Sequence, residues 1–242
     1  MEGTDLRGAG PGAAQRSVRR FTDPEPWLRR RLDWLPEDRL RELARVAKIE
    51  RVRARSTINL SRDAVRFVLR GAVRLRYAAN AHDTTVITIT GPGDLLSKLF
   101  FKEAPKVRVQ AITDCALLTL PRKPFLDAVI GNSSDELDQA VNLIFGGALT
   151  LLARYWQTLG GRLMVRLAAA LLELAHKFGV ADSRGTLIDL RLSQKDLAGL
   201  VGCSRQQLHA LLEKLVESRA VLRQGRQLIL NLDEVKRLAR KG

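Results

Sequence analysis

Arg205, Gln206, Gln207 and His209 stand within five residues of one another, and each carries N–H donors on a polar head. Such a group suits multi-donor hydrogen bonding to an acceptor-rich partner. An arginine can donate twice to guanine O6 and N7, and a glutamine can pair with adenine through N6 and N7. Whether these side chains can converge depends on the element that holds them. Ser204, just before the run, has Gln207 three residues on, the spacing of a capping box that starts a helix. Leu208, Leu211, Leu212 and Leu215 recur at 3.6-residue spacing and give that helix a buried face. Ser193 with Asp196 repeats the capping signal upstream, ahead of Leu197, Ala198, Leu200 and Val201. Gly202 then falls where a helix end wants a positive φ. The spacing predicts two short helices joined by a tight turn, with the donor-rich residues at the start of the second. An ordinary antiparallel helix pair would share these features.

The next segment separates the two readings. Ala220 to Arg223 and Gln227 to Leu230 are short apolar stretches around Gln224-Gly225-Arg226, a β-hairpin signal centred on a glycine. A hairpin directly after a recognition-type helix is a wing, and Arg223 and Arg226 at its tip are placed to meet phosphate. Ser193, Ser204, Arg205, Gln206, Gln207, His209, Arg223 and Arg226 therefore form the candidate DNA-binding set.

The run VGCSRQQLHALLEKL, preceded by LSQKDLAGL and followed by the glycine-tipped hairpin, resembles the C-terminal domain of the catabolite-activator/fumarate-nitrate regulator (CRP/FNR) family. Gly-Cys-Ser-Arg is its most specific mark. INLSRDAVRFVLRGAVRLRY and VITITGPGDLL extend the resemblance upstream over residues 27–181. The resemblance implies an α+β chain: an N-terminal cyclic-nucleotide-binding-like β-roll (a jelly roll), a long central dimerisation helix and a C-terminal winged helix-turn-helix. The expected boundaries are a tail over 1–22, the roll over 23–133, the central helix over 134–160 and the DNA-binding domain over 161–242.

Patterning along the chain fits this division. The first 22 residues are rich in Gly, Ala, Arg and Ser without apolar periodicity. Trp27 to Val46 is helical in pattern, with Pro36 opening a second helix that buries Leu40, Leu43 and Ala44. From Ile49 to Leu120 the period falls toward two, in short strands punctuated by Gly71, Gly91 and Gly93. Leu137, Val141, Ile144, Ala148, Leu151 and Tyr155 then alternate steps of four and three, a heptad seam that suits a two-fold dimer. The same seam could pack on its own barrel, because Leu143, Leu149 and Leu152 widen the apolar face. Gly160-Gly161, costing a helix roughly 1–2 kcal/mol against alanine, marks a hinge.

In cyclic-nucleotide-binding members of the family a Gly-Glu-Leu stretch and a following arginine hold ribose and phosphate. Here Ser97-Lys98-Leu99 follows Gly91-Pro92-Gly93-Asp94, so an ammonium without acceptors replaces the ribose-binding carboxylate. The next segment is shorter than in cyclic-AMP receptors, and only Lys106 and Arg108 approximate the phosphate-binding arginine. Cyclic AMP is therefore not the expected effector. Lys106, Arg108 and Gln110 share a strand face that could, with Ser97 and Lys98, border a pocket for another anionic ligand. A solvated face on a basic protein is the favoured alternative.

Composition agrees with a nucleic-acid partner. Net charge is +15 with 45% hydrophobic residues over 242 positions, which favours a polyanion and allows real cores. Two cysteines and three isolated histidines suggest neither disulfide scaffold, iron–sulfur cluster nor metal site, and no cofactor is expected. Cys115 and Cys203 are both expected in the core. There is no Walker loop, nucleophile elbow or paired acid–base constellation, so no enzyme is expected. With no apolar run of spanning length and no secretory h-region, a cytoplasmic protein without membrane contact is expected. Its expected partners are a two-fold symmetric double-stranded DNA operator and a second copy of the chain, with RNA polymerase a candidate. The competing reading is a nucleoid-type architectural protein binding DNA by charge; the polar recognition face speaks against it.

Overall fold

A computed structural model describes residues 23–78, 84–98, 107–131, 133–160 and 162–240; side chains at 78, 84–85 and 148–160 lie outside the described set. The chain mixes helix and antiparallel sheet, as expected, and divides into two compact units, one ending at Leu152 and one from Ala153 onward, with Thr85–Ile87 grouped with the latter.

The first unit begins with helices α1 (Glu25–Arg31) and α2 (Glu37–Val46). Pro36 is the N-cap of α2, and Leu40 and Leu43 are its buried residues. Seven strands follow: β1 (Lys48–Val52), β2 (Ala64–Arg70), β3 (Val73–Ala78), β4 (Thr84–Thr90), β5 (Leu95–Leu96), β6 (Val107–Ala111) and β7 (Cys115–Pro121). They form two sheets, ordered β1-β7-β2-β5 and β4-β3-β6. Strand alternation sends side chains to opposite faces, and β2 and β7 use both faces. Val65, Phe67, Leu69, Leu118 and Leu120 form one buried cluster with helical residues such as Leu28, Leu43 and Phe125. Val68, Leu117 and Cys115 join Val73, Leu75, Val109 and Ala111 in a second cluster between the sheets. Phe67 lies 5.0 Å from the ring of Trp27 and 5.8 Å, edge-on, from that of Phe125. These spacings suit aromatic pairing.

Helix α3 (Arg122–Val129) precedes the 27-residue helix α4 (Ser134–Gly160). The helix spans the expected 134–160, and the division between the two units falls inside it. Its first turns show which stripe faces inward: Ala140 and Leu143 are buried and Ile144 packs partly against the same cluster. Leu137, Val141 and Phe145 are 49%, 43% and 48% exposed. The expected seam is thus divided, with Leu137 and Val141 outward and Ile144 half inward. Ala148, Leu151 and Tyr155 have side chains outside the described set, as does Gly161 of the expected hinge.

The second unit contains α5 (Leu163–Phe178), strands β8 (Gly179–Asp182) and β9 (Gly185–Ile188), helices α6 (Gln194–Val201) and α7 (Arg205–Glu217), strands β10 (Val221–Gln224) and β11 (Gln227–Leu230), and α8 (Leu232–Ala239). Its sheet has the order β10-β11-β9-β8. The wing hairpin is therefore stitched through Ile229↔Leu187 and Leu230↔Thr186 to a second hairpin. Asn231 caps α8, which packs on α5.

Candidate nucleic-acid interface

The start of α7 is fixed by two reciprocal hydrogen bonds. Gln207 N donates to Ser204 Oγ at 3.1 Å, and Ser204 N donates to Gln207 Oε1 at 2.9 Å. This capping box satisfies two backbone donors that a helix start otherwise leaves open. It also commits Gln207, placed in the base-reading set from sequence, to its own helix. Ser193 is committed likewise. Its Oγ accepts from Asp196 N at 3.0 Å and donates to Asp196 Oδ2 at 2.7 Å, and Asp196 is buried.

Between the helices Gly202 adopts φ +67°, the left-handed conformation that a residue with a Cβ enters at a cost. Its N–H reaches back to Gly199 O and its carbonyl accepts from Arg166 Nη2 on α5 at 3.0 Å. Leu197, Ala198 and Val201 of α6 and Leu208, Leu212 and Leu215 of α7 are buried. That packing turns the opposite side of α7 outward: Arg205 and Gln206 are exposed, and His209 has a side chain 59% exposed. The exposed start of a helix also presents free backbone N–H groups and the positive end of its dipole, which suit phosphate. Arg205, Gln206 and His209 are thus brought together as donors, while Ser193, Ser204 and Gln207 hold the scaffold.

The wing closes through a two-residue turn, Gly225-Arg226, with positive φ at Gly225 only, the pattern of a type II′ turn. Arg226 is exposed on this turn. Arg223, expected at the tip, stands in β10 opposite Leu228 and donates through Nη1 to Glu213 Oε1 at 2.6 Å. The neighbouring hairpin turn is pinned to the wing as well. Arg184 donates to both oxygens of Asp182 and to Gln224 Oε1 at 2.7 Å. The guanidinium holds the Asp182 carboxyl down at about 2.

The predicted effector residues separate. Ser97 is buried, Lys98 is exposed and Lys106 lies outside the described residues. Lys98 and Arg108 border one cavity of about 520 Å³, completed by residues 57–60, 107 and 109. Because Val109 and Ala111 point into the core, Arg108 and Gln110 lie on the outer face, across from Arg76 and Arg74. Gln110 is committed: Oε1 accepts from Arg74 at 2.7 Å, and Nε2 donates to Arg55 O at 2.7 Å. A ligand row of 106, 108 and 110 therefore loses its last member.

Both cysteines are free. Cys115 is buried, and burial pushes its thiol up to about 11. Cys203 was expected in the core but is only half-buried, one residue from the exposed cap of α7. Among the described residues no cluster could hold a metal ion, and no helix is long and apolar enough to cross a membrane.

Residues 165–238 match the Crp-like helix-turn-helix domain. A curated relative from Mycobacterium tuberculosis, described as a CRP-like cAMP-activated global transcriptional regulator, is 25% identical over 189 residues, 74% of this chain and 80% of its own. Among solved structures, FixK2 from Bradyrhizobium japonicum superposes with a TM-score of 0.67 at 20% identity, over 81% of this chain and 99% of that one. The c-di-GMP responsive global regulator CLP from Xanthomonas campestris does so at 0.60 and 17%, over 81% and 99%. The matched domain, the curated relative and the shared fold agree: residues 165–238 form a Crp-like helix-turn-helix domain, a DNA-binding module, and the chain as a whole is similar to transcription regulators of the CRP/FNR type.

Proposed function

We propose that the protein is a homodimeric, sequence-specific regulator that reads a two-fold symmetric operator and does not answer to cyclic AMP. The observation that carries sequence reading is the start of α7. The capping box holds it rigid while Arg205, Gln206 and His209 stay exposed as a mixed donor set. Binding by charge alone favours lysine and arginine at such a surface, whereas a glutamine and a histidine add donors that can also pair with base edges.

Dimerisation is supported by three large apolar side chains, Leu137, Val141 and Phe145, exposed on successive turns of α4. Water contact with such a stripe is unfavourable at ~25 cal/mol per Å² of apolar surface. A second copy of α4 would cover it, and a two-fold pair of chains carries two recognition helices, one for each half-site. For the effector, one relative is described as cAMP-activated and one neighbour as c-di-GMP responsive, so the shared fold leaves ligand choice to local residues. Lys98 at the cavity provides a cation where the cyclic-AMP-binding pattern has a carboxylate, and Arg108 adds a second. Such a border favours an anion with more charge than cyclic AMP.

Selection of binding sites from random duplexes by the intact protein tests this function. An enriched sequence with two inverted half-sites, centres about 10 base pairs apart, is expected. Enrichment of no sequence would contradict it.

A further inference from the structure

The stripe of α7 that carries Gln206 and His209 continues, at the same steps of three and four, to Glu213. The structure shows what offsets its charge: Arg223 Nη1 on wing strand β10 donates to Glu213 Oε1 at 2.6 Å. The two side chains are 33% and 41% exposed. His209 Nε2 lies 3.8 Å from the same oxygen. One carboxylate thus gathers the wing arginine and the reading-face histidine around itself. Arg226 is two residues beyond β10, in the turn itself, exposed at the tip.

We propose that Glu213 is a positioning residue that latches the wing to the recognition helix, withholding Arg223 from the DNA backbone and leaving Arg226 as the wing's phosphate contact. The latch rests on the reading of α7 as the helix that enters DNA. Its consequence is on selectivity. An arginine free to bind any phosphate strengthens all sequences alike, whereas a latched one leaves a larger share of affinity to Arg205 and Gln206. Glu213 also fixes the distance between wing and helix, because its partner is on strand β10 and not in the turn.

The test is the salt dependence of DNA binding by the intact protein, with Glu213→Gln, Arg223→Ala, the double variant, Arg226→Ala and Arg205→Ala. Each phosphate neutralised adds about 0.9 to the slope of log affinity against log salt. Glu213→Gln releases Arg223 and should steepen the slope by about 0.9 per subunit. The gain should disappear in Glu213→Gln/Arg223→Ala, which separates release of Arg223 from the mere loss of a negative charge. Arg223→Ala alone leaves the Glu213 carboxylate unpaired and should weaken binding to all duplexes alike, and Arg226→Ala should flatten the slope by about 0.9. A double variant with a slope flatter than that of the intact protein, which would mean that Arg223 already contacts phosphate, or a gain that survives in the double variant, overturns the latch. Failure of the underlying reading has a different signature. Arg205→Ala would then leave affinity for every duplex unchanged, which removes α7 from the DNA and the latch with it.

Discussion

Gln206 and Gln207 are adjacent, chemically identical and both exposed, yet the structure gives them opposite tasks. Gln207 Oε1 accepts from Ser204 N at 2.9 Å, whereas Gln206 lies on the outward side of α7. Replacing Gln207 by alanine removes one hydrogen bond to a backbone group that water can reach. Such a bond contributes at the low end of the usual net range, about 0.5–1 kcal/mol. For a unit the size of the C-terminal one this lowers its melting temperature by about 2–8 °C. Affinity should fall equally for operator and scrambled DNA, because the damage is to the helix start. Gln206→Ala removes no hydrogen bond of the cap, so the melting temperature should stay within error. If Gln206 reads adenine, discrimination at that base pair should fall by ~1–3 kcal/mol, or about 5- to 150-fold. Thermal unfolding followed by circular dichroism, with competition binding against single-base-pair operator variants, reads both quantities. The reasoning is refuted if Gln207→Ala changes base preference at constant stability, or if Gln206→Ala lowers stability and leaves preference intact.

Three further outcomes follow from particular contacts. Gly202→Ala would force a side chain into φ +67° with its Cβ against Arg166 Nη2, displacing that guanidinium from the Gly202 carbonyl; urea unfolding should show a loss of about 1–3 kcal/mol. Val141→Glu leaves the subunit's own core intact, since Val141 is outward, and should yield a folded monomer in sedimentation with operator affinity at least tenfold weaker, an order set by the ~1.4 kcal/mol per decade of affinity; a native dimer would exclude this stripe from the interface. Saturating cyclic AMP should change operator affinity less than about fivefold, a coupling under ~1 kcal/mol, by fluorescence anisotropy; a larger activation would show that Lys98 does not prevent its recognition.

The helix-turn-helix was legible because its signals are local: two serine caps, a glycine at the left-handed position and leucines at helical spacing all lie within a few residues of the structure they specify. The roll's β2, β3 and β4 could be read from alternation and glycine turns. The hairpin of β8 and β9 went unread because four-residue strands carry too little pattern, although Asp182 and Gly185 mark its turn. Helix α8 was also missed, and Asn231 with Glu234 three residues later was the available signal. Tertiary pairings could not be read at all. Nothing in the sequence places Arg223 against Glu213, because their meeting depends on how the wing folds back onto α7. Periodicity likewise cannot decide which of two neighbouring apolar stripes on α4 faces the barrel. That choice put Ile144 partly inward and Phe145, absent from the expected seam, outward.

Base readout by the start of α7 is the central claim, and Arg205 is its most direct point of test. Competition binding of the intact protein and Arg205→Ala, against operators altered one base pair at a time, isolates that contact. A bidentate arginine–guanine pair predicts that Arg205→Ala loses ~1–3 kcal/mol of discrimination at one G·C pair in each half-site and keeps it elsewhere. Unchanged discrimination at every position, with affinity lowered uniformly, would make Arg205 a phosphate contact and contradict the account.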